Sequence, residues 1–123
     1  TVHANTARDA LGRLEQMVTM IGLDFPVQAI RAQIAAGLNI ILQLNRLSDG
    51  SRRVTSISEI TGMEGSTLTL QEIFTFRKTG LSETGAVLGT FIPTGIRPRC
   101  QDQLRQAGID LPNDIFMQKG GAA

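Results

Sequence analysis

The residue with the most chemical promise is His3, flanked by Thr1, Asn5 and Thr6 and set just ahead of a helix start. The first turn of a helix offers free amides and the positive end of the helix dipole. An imidazole and hydroxyls beside them favour an anion or a phosphate. The plainer alternative is a surface histidine near a chain end. His3 is the sole histidine and Cys100 the sole cysteine. The two stand far apart in the chain, nothing near Cys100 suggests an activated thiol, and a buried helix position suits it better. One cysteine forms neither an internal disulfide nor a zinc site, and it is compatible with a reducing compartment.

Other constellations are missing from the sequence. No Gly-rich loop ends in Lys-Ser/Thr to cradle phosphates, and no acidic pair closes an apolar strand to hold magnesium. Metal-ligand spacing and a nucleophile elbow are absent too. Arg52-Arg53 and Arg97-Pro-Arg99 read as solvated hairpin and loop charge. With 12 basic and 11 acidic residues, net charge +1, the chain gives no general reason to expect nucleic acid or an anionic membrane. The basic clusters also lack neighbouring aromatic rings on which bases could stack. No apolar run reaches the length of a membrane span, and the start shows no signal-peptide pattern. Taken alone, these residues describe a soluble globular segment without a complete active site.

The elements that must position these groups follow from periodicity. Hydrophobic residues are 41% of the 123, with five Phe and no Trp or Tyr, so the core is aliphatic. Ala7, Ala10, Leu11, Leu14, Met17, Val18 and Ile21 recur at helical spacing. Thr6 with Asp9 approximates a capping box, Asp9 and Arg13 are spaced to pair across one turn, and Gly22 stops the helix. A second helix follows Asp24, with Pro26 in its first turn and a stripe of Val27, Ile30, Ile34 and Leu38. The period then switches to two: Leu38, Ile40, Leu42 and Leu44 share one face of a strand. Ser48-Asp-Gly-Ser51 predicts a primed hairpin turn, and Arg53–Thr61 returns, punctuated by Gly62 and Gly65. A third strand runs from Thr67 to Lys78 with Leu68, Leu70, Phe74 and Phe76 alternating. A polar loop over Thr79–Gly85 precedes a strand from Ala86 to Ile92. Pro98 opens a helix through Ala107, a last turn carries Ile115 and Phe116, and Gly120 to Ala123 should be loose. Strands joined by short turns imply antiparallel pairing, an α+β arrangement.

Several segments together resemble one family. Thr1-Val-His-Ala-Asn5, Ala7-Arg-Asp-Ala-Leu11 and Arg13-Leu-Glu15 look like the His box of secretion ATPases and the helix after it. Asp24-Phe-Pro-Val27, Ala29-Ile-Arg31, Leu47-Ser-Asp-Gly-Ser-Arg-Arg-Val54 and Glu59-Ile-Thr-Gly-Met-Glu64 resemble the Tad/Flp pilus assembly ATPases (CpaF-like). So do Gln71-Glu-Ile-Phe74, Gly95-Ile-Arg-Pro98 and Ala107-Gly-Ile-Asp-Leu-Pro112. The resemblance covers nearly the whole chain. It implies an α/β protein, with residues 1–123 the C-terminal portion of a RecA-like P-loop ATPase core. Residues 1–47 would hold the His box, two helices and a core strand; residues 48–123 would hold antiparallel strands and the C-terminal helix.

What the resemblance implies of function is a cytoplasmic hexamer, peripheral to the bacterial inner membrane. It would hydrolyse ATP with Mg to power pilus assembly or secretion through a membrane platform protein. No nucleic acid and no direct membrane insertion are implied. His3 would contact the γ-phosphate region and couple it to the neighbouring subunit. Arg13 would anchor its helix to the His-box turn, and Glu59 would make a strand-edge or inter-subunit ion pair. The family's phosphate loop, acidic strand and upstream arginines are not in this chain, so it is expected to be inactive alone and to bind neither ATP nor Mg. The alternative is a non-enzymatic module docking a platform protein or a neighbouring subunit. The start at Thr1 reads as the middle of a longer chain. Partner chains are then expected to cover Leu11, Leu14, Ile34, Ile40 and Leu42, whose apolar faces a truncated core leaves bare.

Overall fold

A computed structural model describes residues 1–22 and 24–118. The looseness expected of Gly120 to Ala123 concerns residues outside the described ones.

Thr6 caps the first helix, α1 (Ala7–Met20), by accepting a 3.0 Å hydrogen bond from the Asp9 amide. Gly22 follows it with φ 81°. The expected Asp9–Arg13 pair does not form among the described residues. The second helix, α2 (Val27–Gly37), starts one residue after Pro26, which caps it and does not sit in its first turn. Four strands follow: β1 (Ile40–Arg46), β2 (Arg52–Glu64), β3 (Thr67–Leu81) and β4 (Val87–Pro93). A short helix, α3 (Cys100–Gln106), and a 3₁₀ turn, Asn113–Phe116, complete the described chain.

The strands form one antiparallel meander in the order β1-β2-β3-β4. The fold is α+β, as the pattern predicted. A boundary at 47/48 falls inside the β1–β2 hairpin, so both parts of the chain share this sheet. Two expectations change along the strands. Gly62 does not end β2 but lies within it, beside a bulge between Ile60 and Gly62. The polar residues from Thr79 to Leu81 continue β3, because they pair with Leu88 and Val87.

The first hairpin turn also differs from expectation. A primed turn needs positive φ at Asp49 as well, but only Gly50 has it, at 84°. The Gly50 amide donates to the Leu47 carbonyl (2.9 Å), and the Leu47 amide to that of Ser51 (2.7 Å). This is a type I turn closed by a glycine bulge. Ser82–Ala86 repeats it between β3 and β4, with Gly85 at φ 86°.

Strands β2 and β3 outrun β1, and their far end gives the two N-terminal helices a platform. Leu11 of α1, Ile60 of β2 and Leu68 of β3 form a buried cluster, with Leu14, Ile34, Ala35, Ile41, Met63 and Leu70 packed around it. Two arginines fix the helices to this hairpin. Arg8 donates to the Leu68 carbonyl at 2.9 Å, and Arg31 donates to the Ser66 carbonyl at 2.7 Å while pairing with Glu15 at 2.6 Å. Hydrogen bonding to Glu15 holds the Arg31 pKa above its ordinary value. Leu11 is therefore covered within the chain, contrary to the expectation that a partner covers it. Ile73 and Val87 are the most deeply buried side chains. Phe74 stacks on Phe91 (5.6 Å between centroids) and meets Phe116 at 5.8 Å, which docks the 3₁₀ turn.

Strand β1 is the exception to this packing. Its side chains alternate between two faces, and the polar set points inward. Gln43 is buried and donates to the Ala4 carbonyl at 2.9 Å, and Asn45 accepts from the Thr55 hydroxyl. The apolar set Ile40, Leu42 and Leu44 lies exposed, Leu42 at 56% and Leu44 at 58%.

Candidate functional site

Residues 1–4 run beside β1, which is the edge strand of the sheet. Between them lies a hollow of about 520 Å³ lined by Thr1, Val2, His3, Ala4 and residues Leu42 to Arg46, together with Arg52. The Gln43 hydrogen bond to Ala4 pins the N-terminal segment at this place. His3 is exposed at the rim and is not part of α1's first turn. The expected dipole site is partly spent, since the Thr6 side chain already satisfies the Asp9 amide.

What the hollow gathers instead is positive charge. Arg46 and Arg52 are direct cross-strand partners, so their side chains leave the same face of the sheet. Among the described residues neither makes an ion pair. The nearest acidic residue along the chain, Asp49, is committed elsewhere: its carboxylate accepts from the Ser51 hydroxyl, from the Ser51 amide at 2.9 Å and from the Val87 amide at 2.7 Å. Those bonds, the Ser51 hydroxyl foremost, hold its pKa down at about 2. Beside the apolar Val2, Ala4, Leu42 and Leu44, the polar lining of the hollow is two arginines, His3, a threonine and two side-chain amides, with no carboxylate, which suits an oxyanion better than a metal ion. Among the described residues no group of three or more His, Cys, Asp or Glu is placed to hold a metal.

The other two candidate residues lie apart from His3. Arg13 is exposed on α1 and makes no hydrogen bond or ion pair among the described residues. The arginine that anchors α1 to the sheet is Arg8, which donates to the Leu68 carbonyl of β3 and not to the His-box turn. Glu59 is 4% exposed in mid-β2 and makes no ion pair among the described residues. Its two oxygens accept from the backbone amides of Arg99 (2.7 Å) and Cys100 (2.8 Å), capping α3 across 40 residues of chain. The ion-pair reading of Glu59 gives way to this one because amides that begin a helix lack intrahelical acceptors and attract a carboxylate as well as a cation does. Burial, then the bond to Glu59, raises the Cys100 thiol pKa, so Cys100 is half-buried and held in its neutral form.

No helix among the described residues is long and apolar enough to cross a membrane. No family model matches the chain, and no curated protein matches it.

Proposed function

We propose that this chain is part of a hexameric secretion ATPase of the Tad/Flp pilus assembly type, in which ATP hydrolysis powers pilus assembly or protein secretion. In this reading residues 1–123 are the C-terminal portion of a RecA-like core. They contribute His3 to the phosphate end of a nucleotide whose main binding loop belongs to an upstream segment. The protein works at the cytoplasmic side of the inner membrane, against a membrane platform protein.

The observation that carries the reading is the reversal of β1. A strand whose leucines face outward while its glutamine and asparagine face inward leaves a hydrophobic surface that a further layer must cover. An enlarged sheet with additional elements supplies that layer. The segments that resemble the secretion ATPases, running from Thr1-Val-His-Ala-Asn5 to Ala107-Gly-Ile-Asp-Leu-Pro112, name the kind of protein that has one. The donors at the hollow fit the phosphates of ATP. They do not fit its magnesium, because no carboxylate lines the hollow.

The test is reconstitution. Nucleotide hydrolysis is measured for this chain alone and after co-expression with the upstream half of a Tad-type ATPase. Hydrolysis that appears only with both, and falls at least tenfold with His3→Ala, supports the reading. Turnover by this chain alone, with contaminants excluded, ends it.

A second reading has its own observation. Leu81, Leu88 and Phe91 are exposed on β3 and β4, at the opposite edge of the sheet from β1. A docking role for this edge, toward the platform protein or a neighbouring subunit, is compatible with the ATPase reading. A pull-down with and without residues from Thr67 to Phe116 separates the two.

A further inference from the structure

We propose that Arg46 and Arg52, with His3 opposite them, form a binding site for a small phosphate-class oxyanion at the free edge of β1. The inference rests on the functional reading of His3 and extends it to two residues that the sequence treated only as solvated charge.

Three observations carry it. First, the arginines stand directly across from each other at the turn end of the β1–β2 hairpin, the last pair before Leu47–Ser51. Like charges in such positions repel, so the arrangement lowers stability unless an anion bridges them. Second, most other arginines of the sheet and its helices are occupied. Arg8 and Arg31 hold backbone carbonyls of β3 and the β2–β3 turn. Arg53 donates to the Val87 carbonyl and lies over the Phe76 ring, and Arg99 donates to the Thr61 carbonyl. Among the described residues Arg46 and Arg52 have no such partner, and the one acid of their turn, Asp49, is turned to Ser51 and Val87. Third, both line one hollow with His3, Asn45, Leu42 and Leu44. Two guanidinium forks match the geometry of phosphate oxygens.

The probe is inorganic tripolyphosphate, which has the charge and spacing of a nucleotide's phosphate chain without its base. It is titrated into the ¹⁵N-labelled chain and followed by amide shifts. Saturable changes centred on His3, Asn45, Arg46 and Arg52 are expected. The paired substitution Arg46→Gln/Arg52→Gln should weaken binding at least tenfold. Arg97→Gln, which removes a positive charge elsewhere, should change it less than twofold. Well-dispersed spectra of the variants show that the fold is kept, since both arginines are exposed. No saturable binding, or equal weakening by Arg97→Gln, overturns the proposal. Failure here and failure of the ATPase reading are distinguishable. The titration asks only about this hollow, whereas hydrolysis by the reconstituted protein asks about the whole enzyme and can succeed when the titration fails.

Discussion

Glu59, in the middle of β2, holds Cys100, the first residue of α3, through a 2.8 Å hydrogen bond from the Cys100 amide. Its other oxygen takes the Arg99 amide at 2.7 Å. Helix α3 has no side-chain cap of its own, so this distant carboxylate replaces one. Glu59→Ala leaves two donors without an acceptor and should cost about 2 kcal/mol of stability. Glu59→Gln keeps one acceptor and should lose about half of that. Urea denaturation with unchanged m-values checks both.

The same contact governs the thiol. Because burial and Glu59 push the Cys100 pKa upward, little thiolate forms near neutral pH. Alkylation of the native chain by iodoacetamide at pH 7.5 should be slower than that of the urea-unfolded chain after correction for denaturant. Equal rates would contradict the placement of Cys100.

Asp49 ties the tip of one hairpin to the start of β4, and its pKa is depressed to about 2. The sign follows from linkage. The unfolded chain binds the proton near the ordinary carboxylate value of about 3.9, so the stabilisation is complete above that pH. It is lost as pH falls from there through about 2. Asp49→Ala should lower the melting temperature at pH 7, and the gap from the parent chain should close between pH 4 and pH 2. A gap that does not change with pH would show that the carboxylate charge plays no part.

Gly89 sits where strand β4 crosses the ring of Phe76. A Cβ there would overlap that ring and lie 2.6 Å from the Arg77 carbonyl oxygen. The backbone oxygen is fixed by the ladder and has nowhere to go. Gly89→Ala should therefore destabilise by about 2 kcal/mol, seen as a shifted urea midpoint.

Leu42 and Leu44 support an opposite expectation. Both are more than half exposed, so Leu42→Lys/Leu44→Lys should change the stability of this chain by only about 0.5 kcal/mol. The bare face predicts that the parent chain self-associates in light scattering; the same pair should abolish that, and should prevent assembly with an upstream ATPase segment.

Much of the fold was legible in the sequence, and the reasons are local. Thr6 and Asp9, the shift from 3.6 to 2 at Leu38, and the turn residues at Gly50, Gly65 and Gly85 act within a few residues of themselves. They announced every helix and strand. The primed turn does not form because Asp-Gly serves two turn types, a two-residue primed turn and a longer type I turn closed by a glycine bulge, and the same dipeptide suits both. Glu59 was singled out, but its partners were not, because the contact spans 40 residues and goes to main-chain amides, which have no sequence signature. The Arg8 contact is out of reach of the sequence for a similar reason: only the height of the Leu68 carbonyl beside α1 brings the two together. The cationic hollow could have been glimpsed in advance. Arg46 and Arg52 lie symmetrically about the turn, and a hairpin must bring such residues face to face.

The sheet's order has a consequence for how such a protein is put together. Each strand pairs only with its immediate neighbour in sequence, so the meander can close from its own turns without waiting for remote parts of the polypeptide. Among the described residues no further strand pairs with either outer rim. Material can be laid against the rim at β1 at any later time, by the same ribosomal product or by another, with no loop to be unthreaded first.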